Sequence, residues 1–220
     1  MSVIIPCLNE QARITAAVRS AWDAGATQVL VVDGGSDDES VRRAQSISAT
    51  EVIESPLGRG LQLAMGGQHA TGDWLLFLHA DNRLPAVAWT QIQDIGRPAW
   101  GGFRQQILAT GLPYRMLEQG NAFRIRTRSM VFGDQGLFVH RDLYRESGGF
   151  EAMPLMEDVA ICHRLRSISS ATLLPGPVEV DARRWQSRGV VRQTLRNWRI
   201  QRAYRKGVEP QKLADWYRQP

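Results

Sequence analysis

The chain has 220 residues, 43% of them hydrophobic, and a formal net charge of +5 at pH 7. These values exclude a disordered, collagen-like or disulfide-built chain and favour one globular domain with a substantial core. Only two cysteines occur, Cys7 and Cys162, and neither has a partner at metal-site or redox-motif spacing. We therefore expect two buried thiols in a reducing compartment.

Two features of the sequence bear on location. No apolar stretch approaches the roughly 20 residues of a membrane-spanning helix, and no basic leader precedes the first apolar run, which together predict a soluble, cytoplasmic protein. The basic residues are concentrated late in the chain, at Arg183, Arg184, Arg188, Arg192, Arg196, Arg199, Arg202, Arg205 and Lys206. This concentration indicates a solvated helix face or, alternatively, peripheral contact with phosphates or with an anionic inner-membrane surface.

Short apolar runs alternate with segments of helical periodicity over the first hundred residues. Strands are predicted at 2–6, 29–32, 51–53 and 74–78, and helices at 11–23, 59–70 and 85–95. Ser36 and Glu39 have capping-box spacing ahead of a further helix that would bury Val41, Ala44 and Ile47. The alternation predicts an α/β fold with a mostly parallel central sheet flanked by helices.

The second half is less regular. Strands are predicted at 101–108 and 136–140, and helices at 114–127, 141–147, 157–165, 190–204 and 210–217. No linker rich in Pro, Gly or Ser divides the chain, so we expect a single domain over residues 1–220.

The residues directly after three predicted parallel strands are polar and acidic. They are PCLNE from Pro6, DGGSDD from Asp33 and HADN from His79. Because ligands bind outside the carboxyl ends of parallel strands, these loops predict a site for a nucleotide with a divalent cation. Taken singly, Asn9 could instead cap a helix, and residues 33–36 could form only a turn.

Two further acidic positions are suited to chemistry. Asp81 follows an apolar strand, where a carboxylate can reach a hard cation that bridges diphosphate oxygens. Glu157 and Asp158 open a helix, so one carboxylate can face a cleft, or both can simply favour the helix dipole. Neither a G-x-G-x-x-G fingerprint nor a phosphate loop of the G-x-x-x-x-G-K-[ST] type occurs, which excludes those two nucleotide sites.

Together, these loops resemble the inverting family 2 glycosyltransferases, whose Rossmann-like GT-A fold is that of nucleotide-diphospho-sugar transferases. VIIPCLNE resembles the opening strand motif, VVDGGSDDES the nucleoside-binding loop, GDWLLFLHADNRLP the metal-binding D-x-D region, and LMEDVAICHRL the catalytic E-D motif. The segments GDQGLFVHRDLYRESGGF and RRWQSRGVVRQT are similar in sequence to those of a small bacterial subgroup named radical-SAM/selenodomain-associated transferase 2. The resemblance implies a nucleotide-binding half over residues 1–100, an acceptor and catalytic half over 101–189, and basic helices over 190–220.

The resemblance also implies the donor site. Its residues would be Pro6, Asn9, Glu10, Asp33, Arg59 and Asp81. Asp33 would accept hydrogen bonds from base or ribose, and Asp81 would bind Mg²⁺ or Mn²⁺ on the diphosphate of a donor expected to be a UDP-sugar. Arg59 would contact the donor phosphate or base, although an exposed arginine at a helix start is an equal alternative.

On the acceptor side, Asp158 aligns with the general base, which would take a proton from the hydroxyl of a small or lipid-linked acceptor. The resemblance further places Asp134, Gln135, Glu157, Arg184 and Trp185 on this side. Residues 133–136 could equally form only a tight turn, and Trp185 could pack in the core.

Two positions depart from the family pattern. His79 replaces the first acid of D-x-D, so it would ligate the metal, bond a phosphate, or do neither. Asp181 replaces the glutamine of the Q-x-x-R-W motif that Arg184 and Trp185 resemble, and no membrane helices follow. Processive polymer synthesis is therefore not expected.

Two other functions fit parts of the sequence. A sugar nucleotidyltransferase shares the fold, but the opening strand lacks the Gly-rich, basic loop typical of such enzymes. A noncatalytic nucleotide-binding or membrane-surface module would account for the basic carboxyl-terminal region, although it would need neither Asp81 nor Asp158. No recognition motif supports nucleic-acid binding.

Overall fold

The computed structural model describes residues 1–218; residues 219–220, at the end of the predicted basic region, lie outside the described residues. The strands are β1 Ser2–Cys7, β2 Gln28–Asp33, β3 Thr50–Glu54, β4 Trp74–Phe77, β5 Asn82–Arg83, β6 Trp100–Ile107, β7 Leu137–His140 and β8 Thr172–Val180. The helices are α1 Ile14–Asp23, α2 Ser40–Gln45, α3 Arg59–His69, α4 Ala88–Gln93, α5 Leu112–Arg128, α6 Arg141–Glu146, α7 Glu157–Ile168, α8 Arg183–Arg188, α9 Val190–Arg205 and α10 Pro210–Arg218. A 3₁₀ turn covers Gly133–Gln135.

The strands form one mixed sheet in the order β3-β2-β1-β4-β7-β6-β8-β5. Strand β1 pairs in parallel with β2 on one side and with β4 on the other, and β2 pairs in parallel with β3. Strand β7 is antiparallel to both of its neighbours, while β6 and β8 are parallel. The predicted α/β class with a mostly parallel sheet is confirmed. Since chain order reverses at β1, the loops after β1, β2 and β4 border one crevice.

The apolar pattern explains the packing around β1. All six residues of β1 and of β2 are buried, and α1 buries Ile14, Ala17, Val18 and Ala21, the four predicted to face the core. Helix α3 lies unusually close to the sheet, because a Cβ at Gly66 would stand 2.3 Å from Ile4 Cγ2. Glycine at this position therefore permits the approach of α3 to β1.

The predicted capping box is wrong. Helix α2 begins at Ser40 and has no side-chain cap. Ser36 instead donates its hydroxyl to Asp33 Oδ1 at 2.5 Å and accepts the backbone N–H of Asn9 at 3.0 Å. A short polar side chain bonds the nearest available backbone or carboxylate group, and here the neighbouring loop supplies it.

Strand β8 and helix α8 were not predicted. The β8 sequence TLLPGPVEV contains two prolines, which usually mark a break. In the structure Pro175 and Pro177 lie where the register with β6 is interrupted, between the pairs Phe103–Leu174 and Gln105–Val178. The prolines therefore occupy an irregularity, and the strand continues to Val180.

Three smaller expectations concern the thiols, the helix starts and membrane-spanning segments. Both cysteines are free and buried, as predicted. Helices α1 and α4 begin three residues later than predicted, at Ile14 and Ala88. Within residues 1–218, no helix combines the length and the apolar character that crossing a bilayer requires.

Candidate active site

The loops after β1 and β2 are joined by hydrogen bonds. Asp33 is only 4% exposed and accepts the N–H groups of Gly35 and Ser36 at 3.0 and 2.9 Å, besides the Ser36 hydroxyl. Asn9 has a left-handed φ of 52° and accepts the N–H of Asp37 at 3.0 Å rather than capping α1. Asn9 thus joins the two loops, whereas Asp33 orders its own loop, and both oxygens of the Asp33 carboxylate already accept hydrogen bonds.

A cleft of about 630 Å³ lies beside these loops, and we call it the donor cleft. It is lined by Pro6, Glu10, Leu57, Arg59, Gln62, His79, Asp81, Met153, Pro154, Arg184, Gln211 and neighbouring residues. Four of the six predicted donor residues therefore line it: Pro6, Glu10, Arg59 and Asp81.

A smaller cavity of about 150 Å³, here named the catalytic cavity, adjoins the donor cleft. Asp134, Asp158, Arg184 and Trp185 are among its lining residues. Arg59, His79, Asp81 and Arg184 line both spaces, so two guanidinium groups and one carboxylate stand where the two meet. A ligand that spans both spaces would pass these four side chains.

Asp158 has the environment of a base. Its Oδ2 accepts the N–H of Gly133 at 3.1 Å and its Oδ1 accepts the N–H of Val159 at 2.8 Å. Burial and the adjacent Glu157 carboxylate raise the pKa of Asp158 to about 6, against the opposing effect of Arg59. A carboxylate with this pKa is ionised at neutral pH and retains appreciable basicity.

The adjacent acid has a different role. Glu157 is 1% exposed and forms a short ion pair with Arg59 Nε, while its Oε2 has no partner among the described residues. Met156, directly before it, has a left-handed φ of 70°, which is uncommon for a residue with a long side chain. This turn directs Glu157 into the interior and Asp158 toward the catalytic cavity.

Arg183 links two predicted donor residues. Its guanidinium donates to both carboxylate oxygens of Glu10 and, through Nη2, to Asp81 Oδ2 at 2.9 Å. Sequence reasoning missed this role, because the family motif singled out the adjacent Arg184. The only sequence signal was the pair of arginines itself.

The 3₁₀ turn forms a wall of the catalytic cavity next to His79. Gly133 approaches His79 so closely that a Cβ would stand 2.4 Å from the ring Nε2. Burial and the nearby charge of Arg59 lower the pKa of His79 to about 3, so the imidazole is neutral. Burial also raises the pKa of Asp134, whose Oδ1 lacks a partner within the described residues.

The remaining predicted acceptor-side residues lie in different layers. Gln135 is fully buried behind the wall, where its Oε1 accepts from Arg124 and from the N–H of Phe132. Trp185 lines the catalytic cavity and also packs against the core. Helix α9, whose basic residues were predicted to form a solvated face or to contact phosphates or a membrane surface, contributes further lining through Gln193, Asn197, Ile200 and Gln201.

Comparison with solved structures identifies the fold. The chain is similar to TarS of S. aureus, with a TM-score of 0.65 at 15% identity over 82% of this chain and 36% of that one. A 1–349 fragment of TarS in complex with UDP-GlcNAc gives a TM-score of 0.62 at 17% identity, covering 82% and 58%. The α/β fold with its mixed, mostly parallel sheet is therefore the GT-A fold that was predicted.

Sequence similarity to known proteins lies in the first half of the chain. Residues 2–94 match the model of the family described as Glycosyl transferase family 2. An uncharacterized glycosyltransferase of Rickettsia typhi is 30% identical over 95 residues, which are 43% of this chain and 32% of the relative. A PGL/p-HBAD biosynthesis glycosyltransferase of Mycobacterium bovis is 37% identical over 91 residues, 38% of this chain and 36% of the relative. The matches span about a third of the length of these curated relatives.

Proposed function

We propose that the chain is an inverting glycosyltransferase that moves a sugar from a nucleoside-diphosphate sugar to an acceptor hydroxyl. The observation that carries the proposal is the position of Asp158: it lines the catalytic cavity, which shares four residues with the donor cleft. A donor lying across this junction would present its sugar to Asp158 and keep its nucleoside in the larger space.

The junction suits a diphosphate. Arg59 and Arg184 line both spaces and supply guanidinium groups, which bind phosphate oxygens in charge-assisted, often bidentate hydrogen bonds. Arg59 is held by its ion pair with Glu157. TarS fragments crystallised with UDP-GlcNAc and with UDP support a UDP-sugar as the donor of this chain.

The residues present fit a divalent cation that arrives with the donor. Within residues 1–218, no three His, Cys, Asp or Glu side chains converge as a ligand set. Mg²⁺ is commonly held by one or two carboxylates together with substrate phosphates, and Asp81 at the junction suits that arrangement, with neutral His79 beside it. We infer that Asp81 holds Mg²⁺ or Mn²⁺, which would stabilise negative charge on the departing nucleoside diphosphate.

The chemistry of Asp158 follows from its pKa. Its carboxylate would take the proton of the acceptor hydroxyl while that oxygen forms a bond to the anomeric carbon and the bond to the diphosphate oxygen breaks on the opposite face. The nucleoside diphosphate leaves with the bonding electron pair, and the configuration at the anomeric carbon inverts. The hydrogen bonds from Gly133 and Val159 orient the carboxylate.

The finer family assignment also belongs to this proposal. The two segments that are similar in sequence to the radical-SAM/selenodomain-associated transferase 2 subgroup lie on β7 with α6 and on α8 with α9. Their residues Arg184 and Trp185 line the catalytic cavity, so part of this pattern lies at the proposed site.

A thermal-shift screen tests the donor site. UDP-, GDP-, CDP- and dTDP-sugars are added with and without Mn²⁺ to the wild type, to Asp81→Ala, and to Asp94→Ala as a control in an exposed position. We expect one nucleotide to raise the melting temperature in a Mn²⁺-dependent manner in the wild type and the control, but not in Asp81→Ala. No shift with any nucleotide would overturn the donor assignment.

The chemical step needs a separate test against a noncatalytic module. Donor turnover to free nucleoside diphosphate is followed for the wild type and Asp158→Asn, with and without candidate acceptors. A nucleotide-binding module would bind the donor equally well in both proteins and turn over in neither.

A further inference from the structure

A third concavity, of about 690 Å³, lies between α5, α7 and α9. We call it the arginine groove, after Arg124, Arg128, Arg166 and Arg205, which line it together with His163. Among the described residues that line it there is no Asp or Glu. Four guanidinium groups from three helices thus face one space without a carboxylate between them.

Three of these arginines keep their hydrogen-bond donors free. Within the described part of the chain, the side chains of Arg128 and Arg166 form no hydrogen bond or ion pair, and the Arg205 side chain only donates to the carbonyl of Gln201 in its own helix, at 3.4 Å. Arg124 is already engaged: it donates to Asn121 and Met130, and its guanidinium lies 3.5 Å from the centroid of the Phe132 ring. The groove therefore offers unused donors on a fixed wall.

Some arginines outside the groove do have counter-charges. Arg164, also on α7, pairs with Glu151, and Arg183 pairs with Glu10 and Asp81. In the arginine groove, uncompensated like charges repel each other, and an anion would relieve that repulsion. Burial together with Arg166 and Arg205 lowers the pKa of His163, in keeping with a positive field there.

The groove adjoins the catalytic cavity. Phe132, Val159 and Gln201 line both spaces, so the groove and the catalytic cavity meet at these three side chains. Val159 directly follows Asp158, whose carboxylate accepts its N–H. A molecule bound in the groove is therefore one layer of side chains away from the proposed base.

We propose that the arginine groove binds a phosphate group of the acceptor, so that the substrate of this enzyme is a phosphate-bearing alcohol. This proposal rests on the proposed glycosyltransferase function. Guanidinium groups bind phosphate oxygens through paired N–H donors, and Arg128, Arg166 and Arg205 have such donors available. The phosphate can belong to a soluble phosphorylated acceptor or to a lipid headgroup, since both present the same anionic oxygens.

The test uses the full chain and a charge-matched control. Arg128→Gln/Arg166→Gln removes two charges from the groove, and Arg19→Gln/Arg97→Gln removes two exposed charges elsewhere. Each protein is titrated with inorganic phosphate and with glycerol phosphate by calorimetry. A second arm measures co-sedimentation with phosphatidylcholine vesicles that either contain or lack phosphatidylglycerol.

We expect the groove variant to bind at least about tenfold more weakly than the wild type and the control in one of the two arms. Weaker binding of the soluble phosphates identifies a soluble acceptor, and weaker binding of the phosphatidylglycerol vesicles alone identifies a lipid-linked one. Equal affinities of all three proteins in both arms would overturn the proposal.

The rise in melting temperature on nucleotide binding serves as an independent readout. The groove variant should keep the wild-type UDP response, because Arg128 and Arg166 lie outside the donor cleft. Loss of the nucleotide response in every protein, with phosphate binding still weakened in the groove variant, would overturn the transferase function and leave the anion site standing.

Discussion

Arg183 Nη2 lies 2.9 Å from Asp81 Oδ2, although the two residues are 102 positions apart in the chain. The same guanidinium holds Glu10, so two carboxylates of the donor cleft share one counter-charge. A cation approaching Asp81 therefore competes with an arginine already in place.

Removing this arginine should favour metal binding. We expect Arg183→Gln to bind Mn²⁺ several-fold more tightly than the wild type without any nucleotide, because Asp81 loses its ion-pair partner and Glu10 keeps only Arg13, at 3.7 Å. Titration calorimetry measures the affinity, and Arg188→Gln on the same helix is the control. An unchanged or lower affinity in Arg183→Gln would show that Arg183 does not compete for the site.

The pKa of Asp158 sets an acid limb for activity. Since the general base must be ionised, kcat/KM should fall about tenfold per pH unit below pH 6 and level off above it. Asp158→Asn should lower kcat by roughly 10²–10⁴-fold. A rate profile that stays flat down to pH 4.5 would contradict the assignment of Asp158 as the base.

The same pKa shift predicts a stability change with a definite sign. The folded-state pKa of Asp158 lies above its unfolded value of 3.8, so the stability it contributes is present below pH 3.8 and is lost as the pH rises through about 6. Asp158→Asn should therefore be more stable than the wild type at pH 7, by roughly 1–3 kcal/mol, with the difference vanishing near pH 4. Urea denaturation at the two pH values measures it.

The Arg59–Glu157 pair should matter more for stability than an exposed pair. Glu157 is 1% exposed, so Glu157→Gln leaves the Arg59 charge without its partner and should cost about 2–4 kcal/mol of unfolding free energy. The exposed pair between Arg164 and Glu151 provides the control, because Glu151→Gln should cost less than about 1 kcal/mol. Similar losses in both variants would contradict the buried character of the first pair.

Gly133 should tolerate no side chain. A Cβ there would stand 2.4 Å from His79 Nε2, so Gly133→Ala must displace either the buried His79 ring or the 3₁₀ turn with its hydrogen bond to Asp158. We expect kcat/KM to fall at least about tenfold, as misplacement of a catalytic group commonly does. Gly120→Ala is the matched control: nothing lies within 4 Å of its Cβ position in α5, and it should leave activity unchanged and gain up to about 1 kcal/mol of stability.

Local patterns in the sequence predicted the elements that position the site. The spacing of Ile14, Ala17, Val18 and Ala21 predicted the buried face of α1, and the short apolar runs predicted β1, β2 and β4. These signals are reliable because burial on one face of a helix or on both faces of a parallel strand constrains residues that are neighbours in the chain.

Only the tertiary structure decided which polar groups meet. Ser36 has the spacing of a cap, yet it bonds Asp33 and Asn9, and Arg183 reaches Asp81 from the far end of the chain. Strand β8 likewise was not predicted, and its two prolines lie at an irregularity in the pairing with β6. The periodicity of the sequence determined the layers of this protein, whereas the partners of its charged side chains depend on distances between segments that no local pattern encodes.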